Sequence, residues 1–191
     1  MGRQQRQKIL TLDQIAVEIA LCTRCGLHKN RHKAVPGEGP FDAKAMFIGE
    51  APGREEDFQG RPFVGRSGKV LDEILKEAGL ERDTIFITSV VKCRPPNNRA
   101  PNRSEQETCL WSHTQRQIQI IQPKIICLLG GVAAEALLGI KRVSEKRGRI
   151  SEEAGYRFFP TYHPAAAGRS RAWYQALSQD MKRLRELLES V

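Results

Sequence analysis

The stretch Phe47-Ile48-Gly49-Glu50-Ala51-Pro52-Gly53-Arg54-Glu55-Glu56-Asp57 decides the fold. It opens as the end of a short apolar run, residues 45–48, and breaks at once into a Gly/Pro turn crowded with carboxylates. Open α/β sheets hold their ligands just beyond the carboxyl ends of the strands, so Gly49 and Gly53 read as points where backbone approaches a substrate closely. The same letters also describe a solvated surface turn, and the remainder of the chain has to decide between the two.

Outward from that turn, helical and strand patterns alternate. Upstream, Thr11-Leu12-Asp13-Gln14 fits a capping box, and Leu12, Ile15, Ala16, Ile19 and Ala20 recur at helical spacing, which predicts a first helix to about Leu21. Residues 26–40 read as loop. Downstream, residues 60–68 are too glycine-rich for regular structure yet hold Phe63, a stacking platform or a core plug. Val70, Leu71, Ile74, Leu75 and Ala78 predict a helix closed by Gly79, and residues 84–91 a buried strand ending near Ser89. A basic, proline-rich loop over 92–103 leads into a second capping box, Ser104-Glu105-Gln106-Glu107, and a helix that stops before Pro123. Residues 124–129 predict a third strand, 132–138 a short helix, and 156–162 a fourth strand ending in His163-Pro164. Trp173, Leu177, Met181, Leu184 and Leu187 or Leu188 form the apolar stripe of a last amphipathic helix.

Strands alternating with helices argue for an α/β fold, a three-layer α/β/α sandwich around a mainly parallel four-stranded sheet, in a single domain over 1–191. Gly49-Glu50, Ser89, Gly130-Gly131 and His163 each fall at or just past a predicted strand end. In a parallel sheet those four turns share one edge, which is the expected site.

Composition narrows the partners. Lys and Arg number 31 against 22 Asp and Glu, a net charge of +9, which favours a polyanion such as nucleic acid. No apolar run reaches the roughly 18 to 20 residues of a membrane span, and the first residues lead into no signal-peptide core, so a cytoplasmic protein is expected. Five cysteines in such a chain do not suggest disulfides. Cys127 sits inside an apolar strand and reads as a small hydrophobe. Cys22, Cys25, Cys93 and Cys109, with a C-x2-C pair among them, read as metal ligands for zinc or an iron-sulfur cluster; spacing alone does not choose.

Taken together, Gly49-Glu50-Ala51-Pro52-Gly53 with Glu56-Asp57, Gly60-Arg61-Pro62-Phe63-Val64-Gly65, Val91-Lys92-Cys93-Arg94-Pro95-Pro96-Asn97-Asn98-Arg99 and His163-Pro164-Ala165-Ala166 resemble the motifs of family 4, the iron-sulfur branch of the uracil-DNA glycosylase superfamily. The resemblance spans about Cys22 to the last helix. It implies a monomeric DNA-repair enzyme that flips uracil out of single- or double-stranded DNA and hydrolyses its N-glycosidic bond. It also implies a 4Fe-4S cluster, structural rather than redox, on Cys22, Cys25, Cys93 and Cys109. Phe63 would stack on the flipped base, backbone amides around Gly49, Glu50 and Ala51 would bond its oxygens, and His163 would donate to O2 as charge develops there. Glu56 is the expected water-positioning acid, with Glu50 the second candidate.

Two positions depart from the family pattern. Ser89 stands where members usually carry an asparagine that distinguishes uracil from cytosine, which motivates an alternative base range such as hypoxanthine. Ala167-Gly168-Arg169 stands where a leucine wedge is common, leaving Arg169 or Arg171 to enter the duplex. A different class of reading, a non-catalytic iron-sulfur protein that binds nucleic acid or carries electrons, leaves the carboxylates beside a DNA groove without use.

Overall fold

The computed structural model describes residues 3–190. Five strands form one sheet in the order β2-β1-β3-β5-β4, where β1 is Ala45–Gly49, β2 Ile85–Ser89, β3 Ile125–Leu129, β4 Ser151–Glu153 and β5 Tyr156–Thr161. The first three and β5 run parallel; β4 pairs antiparallel with β5 at the edge. The sequence reading missed β4, whose three residues are too short and too polar for a strand signal; it exists because the turn at Ala154 and Gly155 folds it back onto β5.

Every residue of β1, β2 and β3 is buried, so these strands carry continuous apolar runs rather than an alternation. The pleat then divides them between two cores. Phe47, Ile87, Cys127 and Phe159 point to the side covered by α3 (Arg66–Ala78) and α9 (Arg171–Glu189), through Leu71, Ile74, Leu177 and Met181. Met46, Ile48, Phe86, Ile126 and Phe158 point the other way, against Ile118 and Ile121 of α5 (Gln115–Ile121) and Ala133 and Ala134 of α6 (Gly131–Leu138). Three layers follow from this period of two. Cys127 lies fully inside the first core, as its setting in an apolar strand suggests.

Three boundaries differ from the sequence reading. The first helix, α1, is Arg3–Leu21, so Thr11 lies inside it and its hydroxyl donates to the Gln7 carbonyl at 2.7 Å instead of capping. The cap before α4 (Arg103–Cys109) is Asn102, not Ser104: its side chain accepts from the Glu105 amide at 2.8 Å while Glu105 reaches back to the Asn102 amide at 2.8 Å. Residues 54–59, read as part of the acidic turn, form α2 (Arg54–Gln59). Two short helices, Val143–Lys146 (α7) and Pro164–Ala167 (α8), complete the set.

Candidate active site

A cleft of about 480 Å³ opens at the carboxyl edge of the sheet, within the range of small-molecule sites. Glu50, Ala51, Gly53, Glu56, Phe63, Ser89 and His163 all line it. They converge because β1, β2 and β5 run the same way, so the residues leaving their ends share one rim.

Gly49 does not face the cleft directly; it serves as the floor on which Phe63 rests. A Cβ at Gly49 would lie 2.6 Å from the edge of the Phe63 ring and 3.6 Å from the Ser89 hydroxyl. Phe63 itself adopts φ +49°, a left-handed backbone uncommon for an aromatic residue, and only 5% of it is exposed. Backbone strain of this kind concentrates where a side chain must be aimed. The two readings of Phe63 are therefore both realised: part of the ring joins the core around Leu71, and part faces the cleft, 5.8 Å from the His163 ring centroid.

His163 leaves β5 just before α8, and its Nδ1 accepts the Ala165 amide at 3.1 Å. A ring whose Nδ1 accepts carries its proton on Nε2, so the neutral imidazole keeps a free donor. Desolvation lowers the His163 pKa to about 4, with the charge of Glu56 opposing the shift, and the ring is neutral at physiological pH. Gly130, at φ +95°, lets β3 turn closely beneath it: a Cβ there would meet the His163 Cβ at 2.9 Å.

The two acids differ sharply. Glu56 is buried, and its oxygens are committed to backbone: Oε2 accepts the Gly53 amide at 3.1 Å, and Oε1 accepts Val64 at 2.9 Å and Gly65 at 2.7 Å. It ties the start of α2 to the loop that carries Phe63. Glu50 is half-buried in the cleft wall, and among the described residues no hydrogen bond or ion pair engages its carboxylate. Burial raises its pKa above the ordinary carboxylate value.

Ser89 is 5% exposed, and its carbonyl accepts the Lys92 ammonium at 2.8 Å. Lys92 is fully buried and also donates to Thr88 Oγ1 at 2.5 Å and Gln117 Oε1 at 2.8 Å, pinning the end of β2 from below.

A second, smaller cavity lies behind Lys92, lined by Cys22, Cys25, Cys93 and Cys109 together. These four arrive from the end of α1, the turn after it, the loop after β2 and the end of α4. The Arg31 guanidinium donates to Cys93 Sγ at 3.1 Å, and the Lys92 amide to Cys109 Sγ at 3.3 Å, contacts suited to thiolates. Among the described residues, no three His, Cys, Asp or Glu side chains are drawn in tightly enough to grip a single ion.

The family model described as Uracil DNA glycosylase superfamily matches residues 36–188. The chain belongs to that superfamily. It is 44% identical over 189 residues to the type-4 uracil-DNA glycosylase of Sulfurisphaera tokodaii, covering 93% of this chain and 84% of that protein. The type-4 enzyme of Thermotoga maritima is 43% identical, covering 84% and 85% of the two chains. A type-5 uracil-DNA glycosylase of Pyrobaculum aerophilum is 30% identical over 70% of this chain and 66% of its own.

Sequence reading missed several parts of the cleft of this superfamily member. Asn98, in a left-handed conformation at φ 53° and bonded to Arg94 Nε at 2.7 Å, and Arg99, paired with both oxygens of Glu105, line its outer wall. Their loop was read as a basic segment and as part of a family motif, but with no role in the site, because nothing local says which way it folds. Trp173, assigned to the buried stripe of the last helix, is instead 45% exposed at the cleft mouth beside Arg169. Its place in the first turn of α9, ahead of the packed segment, was the available signal. Arg171 is also exposed, but does not line the cleft.

Proposed function

We propose that this chain removes uracil from DNA by hydrolysing the bond between N1 of the base and C1′ of the sugar. The observation that carries the reading is the pairing of Phe63 with a neutral His163 whose Nε2–H has no partner among the described residues, across one cleft at the ends of parallel strands. A base turned out of the stack would lie against Phe63, and the backbone amides of Glu50 and Ala51 would bond its carbonyls. As the C1′–N1 bond breaks, its electron pair moves onto the base, and His163 donates to the O2 that gains charge. A fixed donor in a water-poor pocket is worth several kcal/mol there.

Water must attack C1′ and give up a proton. Glu50 supplies the free carboxylate for it, in place of Glu56, whose three amide contacts leave it positioning Phe63 and the Gly53 turn. The +9 charge suits a DNA ligand, with Arg169 and Trp173 at the mouth placed to meet phosphate and an unstacked neighbour.

The four cysteines fit an iron-sulfur cluster. They line one cavity together, and the Arg31 guanidinium and the Lys92 amide donate to two of their sulfurs, a four-thiolate donor set of the kind that holds such a cluster. Cys22, Cys25, Cys93 and Cys109 would hold a 4Fe-4S group, which when bound supplies a rigid cross-link rather than a chemical step. This chain's residues would thereby fix the end of α1 and the loop after β2, which carries Asn98 and Arg99. The reading includes action as a monomeric single domain in the cytoplasm; no helix among the described residues is long and apolar enough to cross a membrane.

Ser89 favours a second reading, a wider base range, because a short hydroxyl stands where an amide would discriminate. Single-stranded and duplex oligonucleotides bearing uracil or hypoxanthine, incubated with the protein and cleaved with alkali, separate the two. Strand scission at uracil is expected; none at uracil in either form sinks the proposal.

A further inference from the structure

His113 lies in the π-helical turn Leu110–Thr114, one turn past Cys109, and lines the four-cysteine cavity. Only 2% of it is exposed, and among the described residues neither Nδ1 nor Nε2 has a hydrogen-bond partner. Nearly every buried polar side chain finds a partner, and a buried ring with both nitrogens bare points to a group that occupies the adjoining space. Most other polar groups at this cavity are already engaged. His28 Nδ1 bonds the Cys25 carbonyl at 2.6 Å, Arg31 serves Cys93, and Lys92 serves Ser89, Thr88 and Gln117.

We propose that His113 donates an N–H hydrogen bond to a sulfur of the iron-sulfur cluster and so tunes and retains it. The proposal rests on the cluster reading given above. An imidazole carries at least one N–H in either protonation state, so the donor is always present. The π turn is what aims it. One extra residue in the turn after Cys109 shifts the side chains that follow, and His113 faces the sulfur-lined cavity while Trp111 stays 68% exposed. Hydrogen bonds to cluster sulfur favour the more negative reduced state and strengthen retention of the ligand set. His113 is thus a positioning and tuning residue, not a catalytic one.

The test uses the intact, cluster-loaded protein and its His113→Leu and His113→Gln variants. Iron and acid-labile sulfide are measured first, then resonance Raman Fe–S bands in H2O and D2O, the midpoint potential, and the rate of iron loss to a chelator. In His113→Leu we expect shifted Fe–S bands with a smaller deuterium effect, a more negative potential, and several-fold faster iron loss. His113→Gln, which keeps an N–H donor, should restore the wild-type bands and potential at least in part. Identical bands and potentials in wild type and His113→Leu, each with full iron, would overturn the hydrogen bond alone. So would a glutamine variant that behaves like leucine, since packing would then explain the change. Zinc without sulfide in the wild-type protein would overturn the cluster reading, and this inference with it.

Discussion

The Glu56 carboxylate accepts the Gly65 backbone amide at 2.7 Å, so the acid that the primary structure favoured for water is engaged by the loop that carries Phe63. With Val64 and Gly53 also bonded to it, Glu56 holds the Phe63 loop against α2, while the Glu50 carboxylate in the cleft wall has no partner among the described residues.

Exchanging each acid for its amide therefore gives opposite results. Glu50→Gln should lower kcat about a hundredfold or more, with little change in Tm, because a positioned general base contributes about 10² to 10⁴ in rate. It should also remove the acid limb of the pH–rate profile, which in the wild type lies above the ordinary carboxylate range because burial raises the Glu50 pKa. Glu56→Gln should cost about 1–3 kcal/mol in urea unfolding, since an amide has one acceptor oxygen for three donors. Steady-state kinetics and equilibrium unfolding on both variants decide the assignment; an inactive but fully stable Glu56→Gln would reverse it.

Gly49→Ala places a methyl 2.6 Å from the Phe63 ring edge, a separation that forces the ring to move. Because the ring faces the cleft as well as the core, the expected loss is mainly in kcat/KM for a uracil-containing strand, at least tenfold. Uracil fluorescence-analogue binding should weaken in parallel. Retention of full activity would show that Phe63 does not contact the base.

Ser89→Asn lengthens the side chain at the rim of β2 and supplies an amide that can both donate and accept. Uracil turnover should rise and any excision of hypoxanthine should fall, measured on the same oligonucleotide set. An unchanged ratio of the two rates would remove Ser89 from base selection.

His163 makes the fold sensitive to acid. In the unfolded chain a histidine takes up its proton near pH 6.5, whereas His163 in the fold resists protonation until about pH 4. Between those values the unfolded state binds the extra proton, so stability contributed by the neutral ring is lost as pH falls from about 6.5 toward 4. Relative to His163→Asn, the wild type should lose about 2–3 kcal/mol more between pH 7 and pH 4.5, at 1.36 kcal/mol per pKa unit. Urea midpoints at the two pH values measure it; equal losses would mean that the ring is protonated in the fold.

How far the primary structure reaches can be followed in these same residues. The apolar runs ending at Gly49, Ser89, Leu129 and Thr161 gave four parallel strands nearly to the residue, since buried parallel strands need uninterrupted hydrophobic letters. Their ends marked where Glu50, Ser89 and His163 would meet. The C-x2-C pair with Cys93 and Cys109 pointed to one shared cluster of thiols, and the structure brings the four to one cavity. The helix Arg54–Gln59 was hidden by its own acids, which serve its N-terminus and the amides of a loop that lies eight or nine residues on.

The amino-acid sequence by itself determined the α/β class, the edge that carries the site, and the residue types gathered there, because periodicity and strand ends are local properties. Only the tertiary structure decided which acid is free. Glu50 and Glu56 are alike as letters, and what separates them is the set of backbone amides that the folded Phe63 loop brings to one and not to the other. The same holds for His113, whose bare nitrogens become meaningful only once four distant cysteines have closed a cavity around them.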